Sequence, residues 1–215
     1  MERRKALKNM GLALGYTVTT PTLLGLVQSC KNEPAMTWTP TFFTQDEAGA
    51  LSKLVDIILP KTDTPSATEV KADVFIDRFA NEVMEAQQQE FVKMSMGKFL
   101  DKALKDSGKT AIADLSPEDL EPVLAAALKI SQEYSALLMD QVTTYNEAKA
   151  AGEAATLEDG ASRHAFANNL RGLAIWGYKA SEYVGEEVLA YLPVPGEYIA
   201  CADAETLTQG KAWSL

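Results

Sequence analysis

The chain has 215 residues, a formal net charge of −10 and 47% apolar residues. That length and apolar share suit one folded domain rather than a disordered chain. The acidic balance excludes a nucleic-acid binder, because a phosphate backbone needs a positive surface; two cysteines and one histidine are too few for a cysteine-built zinc or iron–sulfur site or a histidine-rich metal site.

Residues 1–30 read as an export signal. Arg3 and Arg4 sit in a short basic head, Met1 to Lys8, and a mildly apolar stretch follows from Met10 to Val27. Its length is near the ~20 residues of a membrane span, but Gly11, Gly15, Pro21 and the threonines among them argue against a lasting one. The stretch closes on Val27-Gln28-Ser29-Cys30, which resembles a lipobox, where cleavage leaves the cysteine as an acylated N-terminus. Cys30 is thus the expected lipidation site, and Arg3 with Arg4 the expected export signal. Paired arginines suit the folded-protein export route. Glu2 stands where that pattern has Ser or Thr, so the general secretory route stays open. The leader carries +3, which leaves −13 on the residues after Cys30. A body that acidic is repelled by anionic lipid, so membrane contact is expected through the anchor alone.

Residues 31–43 read as an extended, proline- and threonine-rich tether whose aromatic end, Trp38, Phe42 and Phe43, docks on the domain. Residues 44–215 read as one helical domain. Thr44-Gln-Asp-Glu47 is a capping box, and Leu51, Leu54, Val55, Ile58 and Leu59 follow at helical spacing until Pro60. A turn-rich loop, Lys61 to Ala67, comes next. A helical region spans Ala72 to Asp106, with a break expected at the glutamine run 87–89 and a stop at Ser107-Gly108. Ser116-Pro117-Glu118-Asp119 is a second strong helix start, although Pro122 points to a start a few residues later; from there one helix is expected to about Ala150. Residues 151–160 form a link. The last long helix is expected over 161–180, with Phe166, Leu170, Leu173, Ile175 and Trp176 apolar, and a shorter one over 182–191. The tail from Leu192 is irregular. The fold class is therefore all-α, a single domain of five or six helices with an irregular C-terminal tail.

Little in this pattern carries chemistry. There is no Gly-x-Gly-x-x-Gly and no phosphate-binding Gly-Lys-Ser/Thr loop. Any Ser-His-Asp arrangement would have to use His164, and a single helical histidine is more often packed or solvated than catalytic. The acid pairs Glu158-Asp159 and Glu186-Glu187 read as solvated faces, since neighbouring helical residues point apart. Met84, Met94 and Met96 read as core filling. By contrast, Trp176, Tyr178, Tyr183, Tyr191 and Tyr198 crowd into one stretch. Trp and Tyr are enriched where interfaces concentrate their energy, so these five are the expected partner interface, with packing of the tail onto the bundle as the alternative.

Three segments carry a resemblance. They are Ile57-Ile58-Leu59-Pro60 with Thr62-Asp63-Thr64-Pro65-Ser66-Ala67, then Val74-Phe75-Ile76-Asp77, then Gly177-Tyr178-Lys179-Ala180-Ser181 with Leu189-Ala190-Tyr191 and Val194-Pro195-Gly196-Glu197-Tyr198. In order and spacing the chain from about Phe43 to Tyr198 resembles the gluconate 2-dehydrogenase subunit 3 family, the small subunit of periplasmic flavin-dependent sugar and alcohol dehydrogenases. Ser66 stands where that family usually has glycine. The resemblance implies a non-catalytic accessory subunit with no cofactor of its own. Its partner would be a large flavoprotein dehydrogenase subunit that holds FAD, with a cytochrome as a further member. The role implied is to escort, stabilise or tether that partner on the periplasmic side of the cell envelope. The alternative is a free-standing helical envelope lipoprotein that binds a small ligand or another envelope protein.

Overall fold

A computed structural model describes residues 38–194, 196 and 201–214. Arg3, Arg4, Cys30 and Tyr198 lie outside the described residues. From Trp38 onward the chain forms one compact, all-α unit. Its helices are α1 (Gln45–Ile58), α2 (Ala72–Glu82), α3 (Ala86–Ser107), α4 (Pro117–Leu128), α5 (Gln132–Ala150), α6 (Asp159–Lys179) and a short α7 (Ala204–Thr208), with a 3-10 turn at Ile112–Asp114 and a π turn at Val184–Val188.

The capped starts form as the sequence dictates. The Thr44 N–H donates to Glu47 Oε2 (2.8 Å), and the Glu47 N–H donates to Thr44 Oγ1 (3.3 Å). At α4 the Asp119 carboxylate accepts from the Ser116 N–H (2.8 Å) and hydroxyl (2.9 Å). Lys109 beside it, together with those bonds, brings the Asp119 carboxyl down to about 2. Helix α4 therefore starts at Pro117, not later: Pro122 sits exposed inside it.

Other boundaries differ from the sequence reading. The break in the second helical region falls at Val83–Glu85, before the glutamine run. The glutamines stitch that break: Gln88 Oε1 accepts from the Glu85 N–H (3.0 Å), and Gln89 Nε2 donates to the Ala80 carbonyl (2.9 Å). The expected single helix to Ala150 is two, because Lys129 ends α4 and Ser131 caps α5 by accepting from the Tyr134 N–H (3.2 Å). The helix expected over 182–191 is the five-residue π turn, after which Leu189 turns extended. The tail carries α7, and its end returns to the π turn: the Ala190 N–H donates to the Ala212 carbonyl and the Ser214 N–H to the Ala190 carbonyl, both at 2.9 Å.

Helix α6 is the hub, packing against α1, α2, α3, α4 and α5. It can do so because much of its buried surface is small: Ala161, Ser162, Ala165, Ala167, Ala174 and Gly177. Small residues let several helices approach one axis closely. Around it, Leu51, Leu54 and Val55 of α1, Met96, Phe99 and Leu100 of α3, and Leu120 of α4 are buried, with the Phe99 and Phe166 rings 5.1 Å apart. A second cluster joins α5 to α6 through Leu138, Val142, Ala161 and Ala165.

The tightest approach is at Gly177, where a Cβ would lie 2.5 Å from Phe75 Cδ1 on α2. That atom is near the root of the ring, so the whole side chain would have to move. Gly177→Val is expected to cost about 2 kcal/mol, as overpacking of a filled site does. Thermal unfolding followed by circular dichroism checks this, and a second change, Phe75→Leu, should recover part of the loss.

Candidate functional site

His164 is buried on α6 at 3% exposure. Its Nδ1 lies 2.7 Å from the Ala127 carbonyl, which can only accept, so Nδ1 carries the proton. Asn168 directs its amide nitrogen at Nε2 (3.0 Å), because its oxygen accepts from Arg171 Nη2 (2.7 Å). The Ser135 hydroxyl also donates to Nε2, at 2.8 Å. Both ring nitrogens thus have partners, and the ring fastens α6 to the end of α4 and the start of α5. A serine beside an imidazole is half of a nucleophile–base pair. Here a backbone carbonyl stands where a carboxylate would stabilise an imidazolium, and Asn168 competes for the lone pair that would take the serine proton. A cavity of about 240 Å³ opens beside the ring, lined by Lys102, Ile130, Tyr134, Leu138 and Arg163 among others.

Two buried carboxylates on α2 form the other polar centre. Asp77, 1% exposed, accepts from the Thr41 N–H (2.7 Å), the Thr41 hydroxyl (2.7 Å), the Phe42 N–H (3.0 Å) and the Phe43 N–H (2.9 Å). Burial pushes its carboxyl up, but these four donors together outweigh burial and hold it below its ordinary value. One turn earlier, Asp73 accepts from Trp38 Nε1 (3.2 Å) and Ser52 Oγ (2.6 Å). Lys93 sits over the rings of Phe42 (4.7 Å) and Phe43 (5.2 Å) and pairs with Glu47 at 2.9 Å. The aromatic end of the tether is therefore docked, as expected. The acids that hold it were not singled out as a site, although Asp77 belongs to the Val74–Asp77 motif. Two acids four apart in an otherwise apolar helix start were the available signal.

The expected interface residues separate. Trp176 is 45% exposed and makes edge-to-face contacts with Phe75 and Phe79 of α2, with ring centres 5.2 Å away in each case. Tyr183 (54%) and Tyr191 (50%) are exposed. Tyr178 is half-buried and turned inward, its hydroxyl donating to the Pro65 carbonyl at 2.9 Å. That bond ties α6 to the Thr62–Ala67 loop, where Ser66 is buried and its N–H donates to Glu69 Oε2 (2.9 Å). Ser66 is not among the residues with positive φ, so the loop keeps its path without glycine there. The sequence reading missed Ile175, Leu192, Val194, Leu207 and Trp213, also exposed. A groove of about 900 Å³ runs between α2–α3 and α5–α6, lined by Phe79, Val83, Phe91, Leu173, Gln87 and Asn146 among others.

Among the described residues no cluster of three or more His, Cys, Asp or Glu could hold a metal, and no helix is long and apolar enough to cross a membrane. Cys201 is exposed and unpaired with any other described cysteine. Comparison with curated proteins gave no match, and neither did comparison with solved structures. A family model described as gluconate 2-dehydrogenase subunit 3 matches residues 45–196, from the first turn of α1 to the tail beyond the π turn. The chain belongs to the gluconate 2-dehydrogenase subunit 3 family, and so to the subunits of a multi-subunit dehydrogenase.

Proposed function

We propose that this protein is the non-catalytic small subunit that escorts and tethers an exported flavin-dependent sugar or alcohol dehydrogenase. The large subunit holds FAD and oxidises the substrate, and a cytochrome or another acceptor takes the electrons. The small subunit reaches the periplasmic side of the envelope through its Arg3-Arg4 leader and stays there through acyl chains on Cys30. Two or more chains are needed for stable anchoring, at about 0.8 kcal/mol per buried CH₂.

The observation that carries this reading is the distribution of exposed apolar bulk. Of the twelve large hydrophobic side chains exposed on the described surface, eight lie between Ile175 and Trp213. A C-terminal stretch that exposes so much apolar bulk on an acidic body fits a protein partner. The family supplies the kind of partner, a dehydrogenase subunit.

Tyr183→Ala with Tyr191→Ala is expected to weaken co-purification of the flavoprotein at least tenfold, about 1.4 kcal/mol, with helical circular dichroism unchanged. Flavin absorbance of material eluted from native membranes is the measurement. Full flavin recovery with the folded double variant would place the interface elsewhere. The groove of about 900 Å³ favours a second reading, a ligand-binding envelope lipoprotein, since small-molecule sites run to about 1,000 Å³. A monomer that leaves native membranes without flavoprotein and with a small molecule bound would support that reading instead.

A further inference from the structure

Burying a carboxylate is costly unless its lone pairs are filled, and α2 buries two. Asp77, 1% exposed, directs all four of its bonds to residues 41–43, and Asp73, 4% exposed, adds one to Trp38 besides its bonds from Ser52 and Val74. The segment 38–43 is neither helix nor strand. Its hydrogen bonds fix the place where the chain coming from Cys30 joins the domain.

We propose that the acid edge of α2 is a clamp for the membrane anchor, and that it makes the α1–α2 edge the side of the domain that faces the bilayer. The proposal rests on the reading that Cys30 is acylated. From Cys30 to Trp38 is eight residues, at most about 28 Å of chain. Without the clamp the first fixed point is Phe42 with Phe43, held by Lys93 and by burial, and the leash reaches about 42 Å. The domain's −13 repels an anionic lipid surface, so a long leash would leave it turned at random and held off. A short leash fixed at one edge sets both its distance and its orientation.

The test uses the full, acylated protein, purified from membranes and placed in phosphatidylethanolamine–phosphatidylglycerol vesicles that carry an acceptor-labelled lipid. In a Cys201→Ser background one fluorophore is attached at Arg78→Cys on α2 or at Ala136→Cys on α5. Both positions are exposed, and their helices pack separately on α6. Energy transfer to the bilayer is expected to be at least about twofold greater from position 78 than from position 136. Asp77→Asn should bring the two sites close to equal. Trp38→Ala with Thr41→Gly, which leaves every core residue in place, should do the same if Asp77→Asn disturbs folding. Intact mass separates the two ways to fail. An acylated protein whose two sites transfer equally, or whose difference survives both release variants, overturns the clamp alone. A membrane-bound protein without acyl chains on Cys30 overturns the anchored reading and the clamp with it.

Discussion

Asp77→Ala is expected to lower the unfolding free energy by about 3 kcal/mol, measured by urea denaturation. The carboxylate takes four hydrogen bonds, three from consecutive backbone N–H groups and one from the Thr41 hydroxyl. Hydrogen bonds to a charged group each contribute about 1.5–3 kcal/mol, but Thr41 is exposed and regains water when the acid is lost. The net therefore falls well short of four full bonds. The pH dependence has a fixed sign. The folded carboxyl lies below its ordinary value, so its contribution is complete above the unfolded value of about 3.9 and is lost as pH falls through the folded value. The stability gap between the native protein and Asp77→Asn should thus hold steady from about pH 5 upward and shrink below about pH 4. A gap that instead grew on acidification would mean that Asp77 is protonated in the native fold.

His164→Ala is expected to cost about 3 kcal/mol. It opens a cavity in a buried site and strands the Ala127 carbonyl, the Ser135 hydroxyl and the Asn168 amide at once. His164→Gln keeps one donor and one acceptor on a similar stem and should cost roughly half as much. Any dehydrogenase activity of the complex with His164→Gln should stay within about threefold of the native value, roughly 0.65 kcal/mol. A hundredfold loss in a variant that folds and holds its partner would make His164 a reacting group. These outcomes separate a packing role, in which stability moves and turnover does not, from a catalytic one.

The sequence was legible where a cap or an apolar stripe carried the signal. Thr44 with Glu47, and Ser116 with Asp119, start helices as their side-chain chemistry requires. The stripe Leu51, Leu54, Val55 is buried as its spacing implies. The hub helix was harder to read, because its buried positions are largely alanine, serine and glycine and add little to an apolar period. Its large residues mislead near the end: Ile175 and Trp176 extend the apparent stripe yet are 42% and 45% exposed. The α4–α5 break rests on the single cap Ser131 amid helix-forming residues. The acid clamp was illegible for another reason. Asp73 and Asp77 look like two solvated acids until residues more than thirty positions upstream fold onto them. Of the expected interface residues, Tyr183 and Tyr191 stand exposed, whereas the inward bond of Tyr178 to Pro65 spans 113 positions and no local pattern announces it.

The chain has one histidine, and it sits where α4, α5 and α6 meet. Every imidazole resonance in a magnetic resonance spectrum of the protein therefore comes from that junction and needs no assignment. The Nδ1 proton, held against the Ala127 carbonyl, should exchange slowly with solvent and stay visible. A partner that settles on the C-terminal aromatics without disturbing the bundle leaves these signals in place, whereas one that pries α5 away from α6 shifts or erases them. The subunit thus carries a built-in, single-site reporter of how deeply its partner reaches.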